Sequence, residues 1–207
     1  MFLKCLQVGV LASNCYILGD EKNKKAVIID PGGNAEDILS IVKKEGFTVD
    51  LILLTHGHAD HIAGLEEVRC STGARVAIHE NDAPMLLSPG QNLSEYMGTA
   101  LSLSPAEIKL KGGDEKLSLG DLTLEVIHTP GHTPGSISIK VGNIIFTGDT
   151  LFAGSIGRSD FPGGSFEQLM ESIKNKLLIQ DDDVIICPGH GIKSTIKQEK
   201  DTNPFLR

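Results

Sequence analysis

Five of the seven histidines in this 207-residue chain fall in three short loops that share one design. Thr55-His56-Gly57-His58-Ala59-Asp60-His61 follows the apolar run 51–54, and Thr129-Pro130-Gly131-His132 follows a strand that ends near His128. Cys187-Pro188-Gly189-His190 follows the run 184–186, and a fourth loop, Thr147-Gly148-Asp149, follows 144–146 and adds a carboxylate. Imidazole nitrogen and carboxylate oxygen are borderline-to-hard donors suited to zinc, iron or manganese. His56 and His58, two positions apart, can address one ion, while Asp60 and His61 can serve a second about 3.5–4 Å away. Asp149 can bridge both ions, its charge offsetting theirs. A lone histidine is more often a hydrogen-bonded structural residue. Four donors within six residues, with Pro-Gly-His twice at strand ends, are a poor match to chance, and the pattern reads as a metal centre. His79 and His128 fit none of it and are expected to be structural or exposed.

Such donors meet only if the elements before them lie side by side. The runs Val27-Ile28-Ile29, Leu51-Ile52-Leu53-Leu54, Ile144-Ile145-Phe146 and Val184-Ile185-Ile186 are short, aliphatic and continuous, which suggests strands covered on both faces. Segments 122–127 and 136–141 read as further strands, and the apolar N-terminus, 2–11, reads as a first strand rather than a signal peptide. Helical spacing appears at Ala35, Ile38, Ile41 and Val42 with Gly46 as the stop, and again from Ile62 through Leu65 and Val68 to Gly73. A Ser-x-x-Gln capping box at Ser165 and Gln168 opens a helix to Leu178, with Phe166, Leu169, Met170, Ile173 and Leu177 as its apolar stripe. Strands and helices intermix, so the class is α/β or α+β with helices covering the sheets. No stretch resembles a linker, so one domain over 1–207 is expected. The segment 80–118, richer in Gly, Pro and Ser, is expected to be an excursion near the site. Each donor loop begins at the C-terminal end of a strand, where neighbouring strand ends form a crevice.

Composition narrows the function classes. Nineteen Lys and Arg face 27 Asp and Glu, a formal net charge of -8 that repels phosphate backbones and argues against nucleic-acid partners. Two divalent ions would reverse the field locally, so an anionic substrate stays compatible. No run approaches the roughly 20 apolar residues of a membrane span. Cys5, Cys15, Cys70 and Cys187 are widely spaced without a CxxC pair, which fits a reducing cytoplasm. Cys187 lies three residues before His190, and it reads as a small buried strand residue rather than a participant.

His-x-His-x-Asp-His at 56–61, with His132, Asp149 and His190 following in order, resembles the metallo-β-lactamase fold superfamily over nearly the whole chain. The resemblance implies a four-layer αββα sandwich of two mixed β-sheets flanked by helices, with metals at one edge of the sheets. It also implies that His56, His58 and His132 hold one metal, that Asp60, His61 and His190 hold the other, and that Asp149 bridges. Two features separate branches of the superfamily. Common zinc β-lactamases carry a cysteine where Asp149 stands, and diiron flavoproteins a glutamate where His58 stands. The stretch from Gly148 to Asp160, with the closing Asn203-Pro204-Phe205-Leu206, resembles the glyoxalase II and persulfide dioxygenase group. In glyoxalase II the residue matching Arg158 contacts the glutathione end of the substrate. Only 17 residues follow His190, which resembles the short, bacterial-type members of that branch.

These expectations converge on a cytoplasmic thioester hydrolase of the hydroxyacylglutathione type, with a glutathione-linked small-molecule substrate. It would hold two divalent ions, zinc first and iron or manganese as alternatives. A hydroxide bridging the ions would attack the thioester carbonyl, with Asp60 orienting it, His61 beside it, and Arg158 gripping a substrate carboxylate. A homodimer is compatible with the sequence and not required by it. The alternative is a mononuclear iron persulfide dioxygenase using His56, His132 and Asp149 as its triad. A scaffold domain without catalysis is disfavoured by the intact donor set.

Overall fold

The computed structural model describes residues 1–113 and 115–207. In chain order the strands are β1 (Phe2–Val8), β2 (Ser13–Asp20), β3 (Lys25–Ile29), β4 (Thr48–Leu53), β5 (Arg75–His79), β6 (Ile108–Leu110), β7 (Lys116–Leu119), β8 (Leu122–His128), β9 (Ile137–Val141) and β10 (Ile144–Gly148). They are followed by the hairpin β11 (Leu151–Phe152) and β12 (Ser155–Ile156), then β13 (Ile185–Pro188) and β14 (Ser194–Thr195). The first six strands form one sheet in sequence order, antiparallel from β1 to β3 and parallel from β3 to β6. The second sheet runs β14-β13-β10-β9-β8-β7, with β10 and β13 its parallel pair. Both sheets are mixed.

Three cores give the layers. Between the sheets lie Tyr16, Leu18, Val27, Ile29 and Leu53 of the first against Leu124, Val126, Ile139, Phe146 and Cys187 of the second. Outside the first sheet, Ile28, Ile52 and Val76 meet Ile38 and Val42 of α1 (Ala35–Glu45) and Leu65 and Val68 of a later helix. Outside the second, Ile145 and Ile186 meet Leu169, Ile173, Leu177 and Ile196. This is the expected αββα sandwich. Cys187 is one of its inner-core residues, and burial pushes its thiol up to about 11, so it takes no part in nucleophilic chemistry.

Three local expectations are corrected. The helix expected from Ile62 to Gly73 is two helices, α2 (Ala59–Ile62) and α3 (Leu65–Thr72), broken at Ala63 and Gly64. The Gly64 N–H leaves the helical ladder to bond Pro31 O at 2.8 Å, which pins the metal-donor turn to the end of β3. The helix capped by Ser165 is α4 (Phe166–Ser172), and it continues as a π-helical turn, Ile173–Leu177. The Ser165 hydroxyl accepts from Gln168 N at 3.3 Å as its capping box predicts, but Phe166 faces solvent, 59% exposed, and only the rest of the stripe packs inward. Strand β2 was not evident in the sequence because its ends, Ser13, Asn14 and Asp20, are polar, yet all eight residues are buried. Ser13 donates to Asp60 O at 2.6 Å, while Asn14 and, two residues on, Tyr16 bind across to the second sheet. Asn14 Nδ2 and the Tyr16 hydroxyl both donate to Pro188 O, at 2.9 and 2.7 Å, from 174 and 172 residues away. A last helix, α5 (Ile196–Thr202), closes the chain.

Candidate metal centre

The donors stand where four strands stop. His56, His58, Asp60 and His61 follow β4, His132 follows β8, Asp149 follows β10 directly, and His190 follows β13. All seven meet in three overlapping triads whose donor atoms lie within 4.8 Å of one another: His56, His58 and His132; His56, His61 and Asp149; Asp60, His61 and His190. Asp149 is central, with His61 Nε2 at 3.4 Å from Oδ1 and His132 Nε2 and His190 Nε2 at 3.6 and 3.7 Å from Oδ2. Two glycines make this approach possible. A Cβ on Gly189 would stand 2.2 Å from Asp149 Oδ1, and one on Gly131, at φ +135°, would stand 2.2 Å from Leu169 N.

Residues behind the donors fix their tautomers. Asp30, at the C-terminal end of β3, accepts from Thr55 N at 2.7 Å, the Thr55 hydroxyl at 2.6 Å and His61 Nδ1 at 3.0 Å. With its proton committed to Asp30, the Thr55 hydroxyl is an acceptor for His56 Nδ1 at 3.1 Å. His132 Nδ1 donates to Arg158 O at 2.7 Å. Three rings therefore keep a proton on Nδ1 and turn Nε2 toward the cluster, where a cation or a second proton can take its lone pair. His58 Nδ1 lies 2.9 Å from His132 Nε2. Among the described residues, His56 Nε2, His61 Nε2 and Asp149 Oδ1 are buried with no hydrogen-bond partner. Buried lone pairs left facing one another are costly without a cation among them, so these residues fit divalent metal ions.

The electrostatics agree. Burial, then the neighbouring rings, holds His56 well below its ordinary pKa and pushes His58 down to about 3. Burial works against Asp149 and Asp60, but the surrounding imidazoles outweigh it and hold both carboxyls below the usual range. Burial would likewise depress His61 and His190, yet the carboxylates beside them raise both. The centre thus offers ionised carboxylates at neutral pH.

Arg158 stands at the rim of a pocket of about 400 Å³ whose floor is His58, Asp60, His132, Asp149 and His190. Its Nε and Nη2 make a bidentate pair with Asp160, at 2.9 and 2.8 Å, and its guanidinium lies 4.3 Å from the Phe161 ring centre. Among the described residues, Nη1 has no hydrogen-bond partner. His79 is buried and stacked on His128, ring centres 4.1 Å apart, outside the donor cluster. Sequence reasoning missed Asp30, Thr55 and Asp82. Asp30 follows a buried aliphatic run as the recognised donors do, a signal that was available. Asp82 accepts from Gly57 N at 3.1 Å, Thr133 Oγ1 at 2.7 Å and Gly135 N at 2.7 Å, joining two donor loops. It comes from the aperiodic segment 80–118, where no pattern announced it.

A family model described as the metallo-beta-lactamase superfamily matches residues 8–190. The chain is 36% identical over 209 residues to hydroxyacylglutathione hydrolase GloC of Haemophilus influenzae, with 100% of this chain and 98% of that protein covered. Among solved structures it superposes on BLEG-1 B3 metallo-beta-lactamase with a TM-score of 0.95 at 40% identity, covering 99% of each chain. TTHA1623 in a di-iron-bound form gives 0.85 at 33% identity, covering 100% of each chain.

Proposed function

The chain belongs to the metallo-beta-lactamase superfamily, and on that premise we propose that it is a two-metal hydrolase of small-molecule thioesters of the hydroxyacylglutathione type. The observation that carries the reading is the set of nitrogens and carboxylate oxygens aimed at one volume. The likeness to GloC supports the thioester, and the di-iron likeness supports two ions rather than one. His56, His58 and His132 would hold the first, Asp60, His61 and His190 the second, with Asp149 between them. Zinc is our first assignment from the donor chemistry, and iron competes with it.

Metal held there supplies Lewis acidity and lowers the pKa of a water from 15.7 toward about 7. The protein's own groups do the rest. Asp60 Oδ2, 3.0 Å from His190 Nε2 and 3.6 Å from His61 Nε2, is ionised at the pocket floor and orients the attacking water by accepting its proton's hydrogen bond. Asp30 keeps the His61 ring from turning. The water oxygen forms the new bond to the carbonyl carbon, the C–S bond breaks, and the thiol leaves with a proton as the acid is released. Arg158 would steady a carboxylate on the thiol side through its Nη1 edge. No side-chain nucleophile is required. We place the reaction in the cytoplasm because all four cysteines are free thiols; among the described residues no helix is long and apolar enough to cross a membrane.

Metal analysis of protein grown in minimal medium, joined to a panel of a glutathione thioester, a lactone, a β-lactam and glutathione persulfide, tests the reading. We expect about two ions per chain and turnover of the thioester. One iron per chain with oxygen consumed on the persulfide would replace it with the dioxygenase using His56, His132 and Asp149. Turnover of the β-lactam alone would align the chain with BLEG-1.

A further inference from the structure

The closing Asn203-Pro204-Phe205-Leu206 supplies no donor to the metal centre, yet it is bonded to the segment that joins two of the centre's groups. Between Asp149 and Arg158 the chain forms the hairpin β11–β12, with Leu151 paired to Ile156 and Phe152 to Ser155. Two strands of two residues each are too short to hold their own position. At the entry Thr147 Oγ1 donates to Leu151 O at 2.8 Å, and at the exit Gly157 N donates to Thr150 O at 3.2 Å. The tip is held from outside, by α5 and the tail. Gly154 N donates to Glu199 Oε2 at 2.8 Å, and Asn203 Nδ2 donates to Ser155 O at 3.0 Å.

Glu199 and Asn203 are both fully buried, and neither lines the pocket. Asn203 Nδ2 also donates to Glu199 Oε2 at 2.8 Å, Ser194 Oγ donates to Oε1, and Asn203 Oδ1 accepts from Phe205 N at 3.0 Å. The three donors to the Glu199 carboxylate are neutral groups. A carboxylate buried among neutral partners adds little stability that an apolar side chain of the same size would not. What it adds is direction, because its oxygens accept only from donors at fixed places.

The exit of the hairpin carries that direction to the centre. Arg158 O accepts from His132 Nδ1 at 2.7 Å and so holds that ring's orientation. Gly157 packs so closely on Asp149 O that it has no room for a Cβ. Phe152 and Ile156 line the pocket itself.

We propose that Glu199 and Asn203 are positioning residues for the metal centre, clamping the hairpin so that Arg158 O meets His132 Nδ1. The proposal rests on the metal-centre reading and is independent of the thioester.

Amide hydrogen exchange and zinc affinity, measured by competition with a chelator, test it without any substrate. In the wild-type protein the Gly154 N–H, although it lies in an exposed turn, should exchange at least roughly 100-fold more slowly than in a short peptide of the same sequence. Exchange at the peptide rate overturns the proposal, whether or not any variant folds. Glu199→Gln, which turns one acceptor into a donor facing donors, and Asn203→Ala should each speed that exchange at least roughly tenfold. Each should also weaken zinc binding about tenfold, the low end of the cost of losing a group that orients a ligand. Leu206→Ala removes packing from the same tail and leaves both clamp bonds, so it should lower Tm with zinc affinity unchanged. Unchanged zinc affinity in both clamp variants, or an equal loss in Leu206→Ala, makes the clamp a stabilising contact alone and overturns the proposal. If the wild-type protein binds no zinc, the metal-centre reading fails separately, and His132 decides the clamp. The 15N shift of its Nδ1 should then move in both clamp variants and hold in Leu206→Ala, and a shift unmoved in the clamp variants overturns it.

Discussion

The floor and the rim of this pocket are built by opposite rules. At the floor, donors hang from the ends of buried strands, and His56, His61 and His132 each have their other nitrogen fixed by an oxygen behind it. At the rim, Leu11, Tyr96, Met97 and Arg158 are exposed side chains outside the sheets. The floor's positions follow from the sheets, so chemistry is inherited with the fold. The rim is held by a few loop bonds, so selectivity can change without disturbing the metals. This is how one superfamily can hold proteins named as β-lactamase and as hydroxyacylglutathione hydrolase on the same frame.

Substitution can break that contrast at graded depths. Asp149→Ala removes the group nearest to both proposed ions, and turnover should fall by more than roughly 100-fold with loss of bound metal, read by kinetics and metal analysis. Retained activity would mean that the floor has been misplaced. Asp30→Ala leaves every donor in place but frees His56 and His61 to rotate. Metal affinity or activity should drop about 10- to 100-fold, the usual cost of losing such a partner, measured by competition with a chelator. Arg158→Ala belongs to the rim, and KM for thioesters bearing a carboxylate should rise roughly 10-fold with kcat almost unchanged. Its exposed pair with Asp160 adds little to stability, so the melting temperature should hold; a lower melting temperature with equal damage to charged and uncharged substrates would make it a structural residue. His79→Ala lies outside both regions. Activity and metal content should be unaffected, and the lost stacking, about 1 kcal/mol, should lower Tm by roughly 2–4 °C.

The floor could be read from sequence because it obeys a rule that sequence displays. A buried aliphatic run followed within one to three residues by a donor recurs at His56, after Thr55, at Asp149, after Thr147-Gly148, and at His190, after Cys187-Pro188-Gly189. At Val27–Ile29 a carboxylate, Asp30, follows the run directly, and it is a partner of the donors rather than one of them. The break at Gly64 was hidden because Ile62, Leu65 and Val68 keep helical spacing through it, and only the tie to Pro31 O reveals it. Phe166 was misread because periodicity cannot separate an apolar residue that faces the core from one just beyond the stripe's edge. At the rim, Arg158 and the excursion 80–118 were legible, but the placement of Leu93 was not. The orientation of Leu93 depends on bonds from Asn92 to residues on both sides of it, and such three-dimensional constraints leave no period in the chain.

The bonds from Asn14 and Tyr16 to Pro188 O have a consequence for how the molecule comes to exist. They tie the second strand to the penultimate one across 174 and 172 residues, and contacts so distant in sequence form late, because the intervening loop entropy must be overcome first. His56, His58, Asp60 and His61 come together within the turn and short helix that follow β4, but His190 reaches them only when the two sheets have docked. Only the finished protein presents the whole donor set, so an ion that needs all of it discriminates between folded and half-folded chains. Free metal should then act as a ligand of the native state alone, and the unfolding midpoint should climb with its concentration.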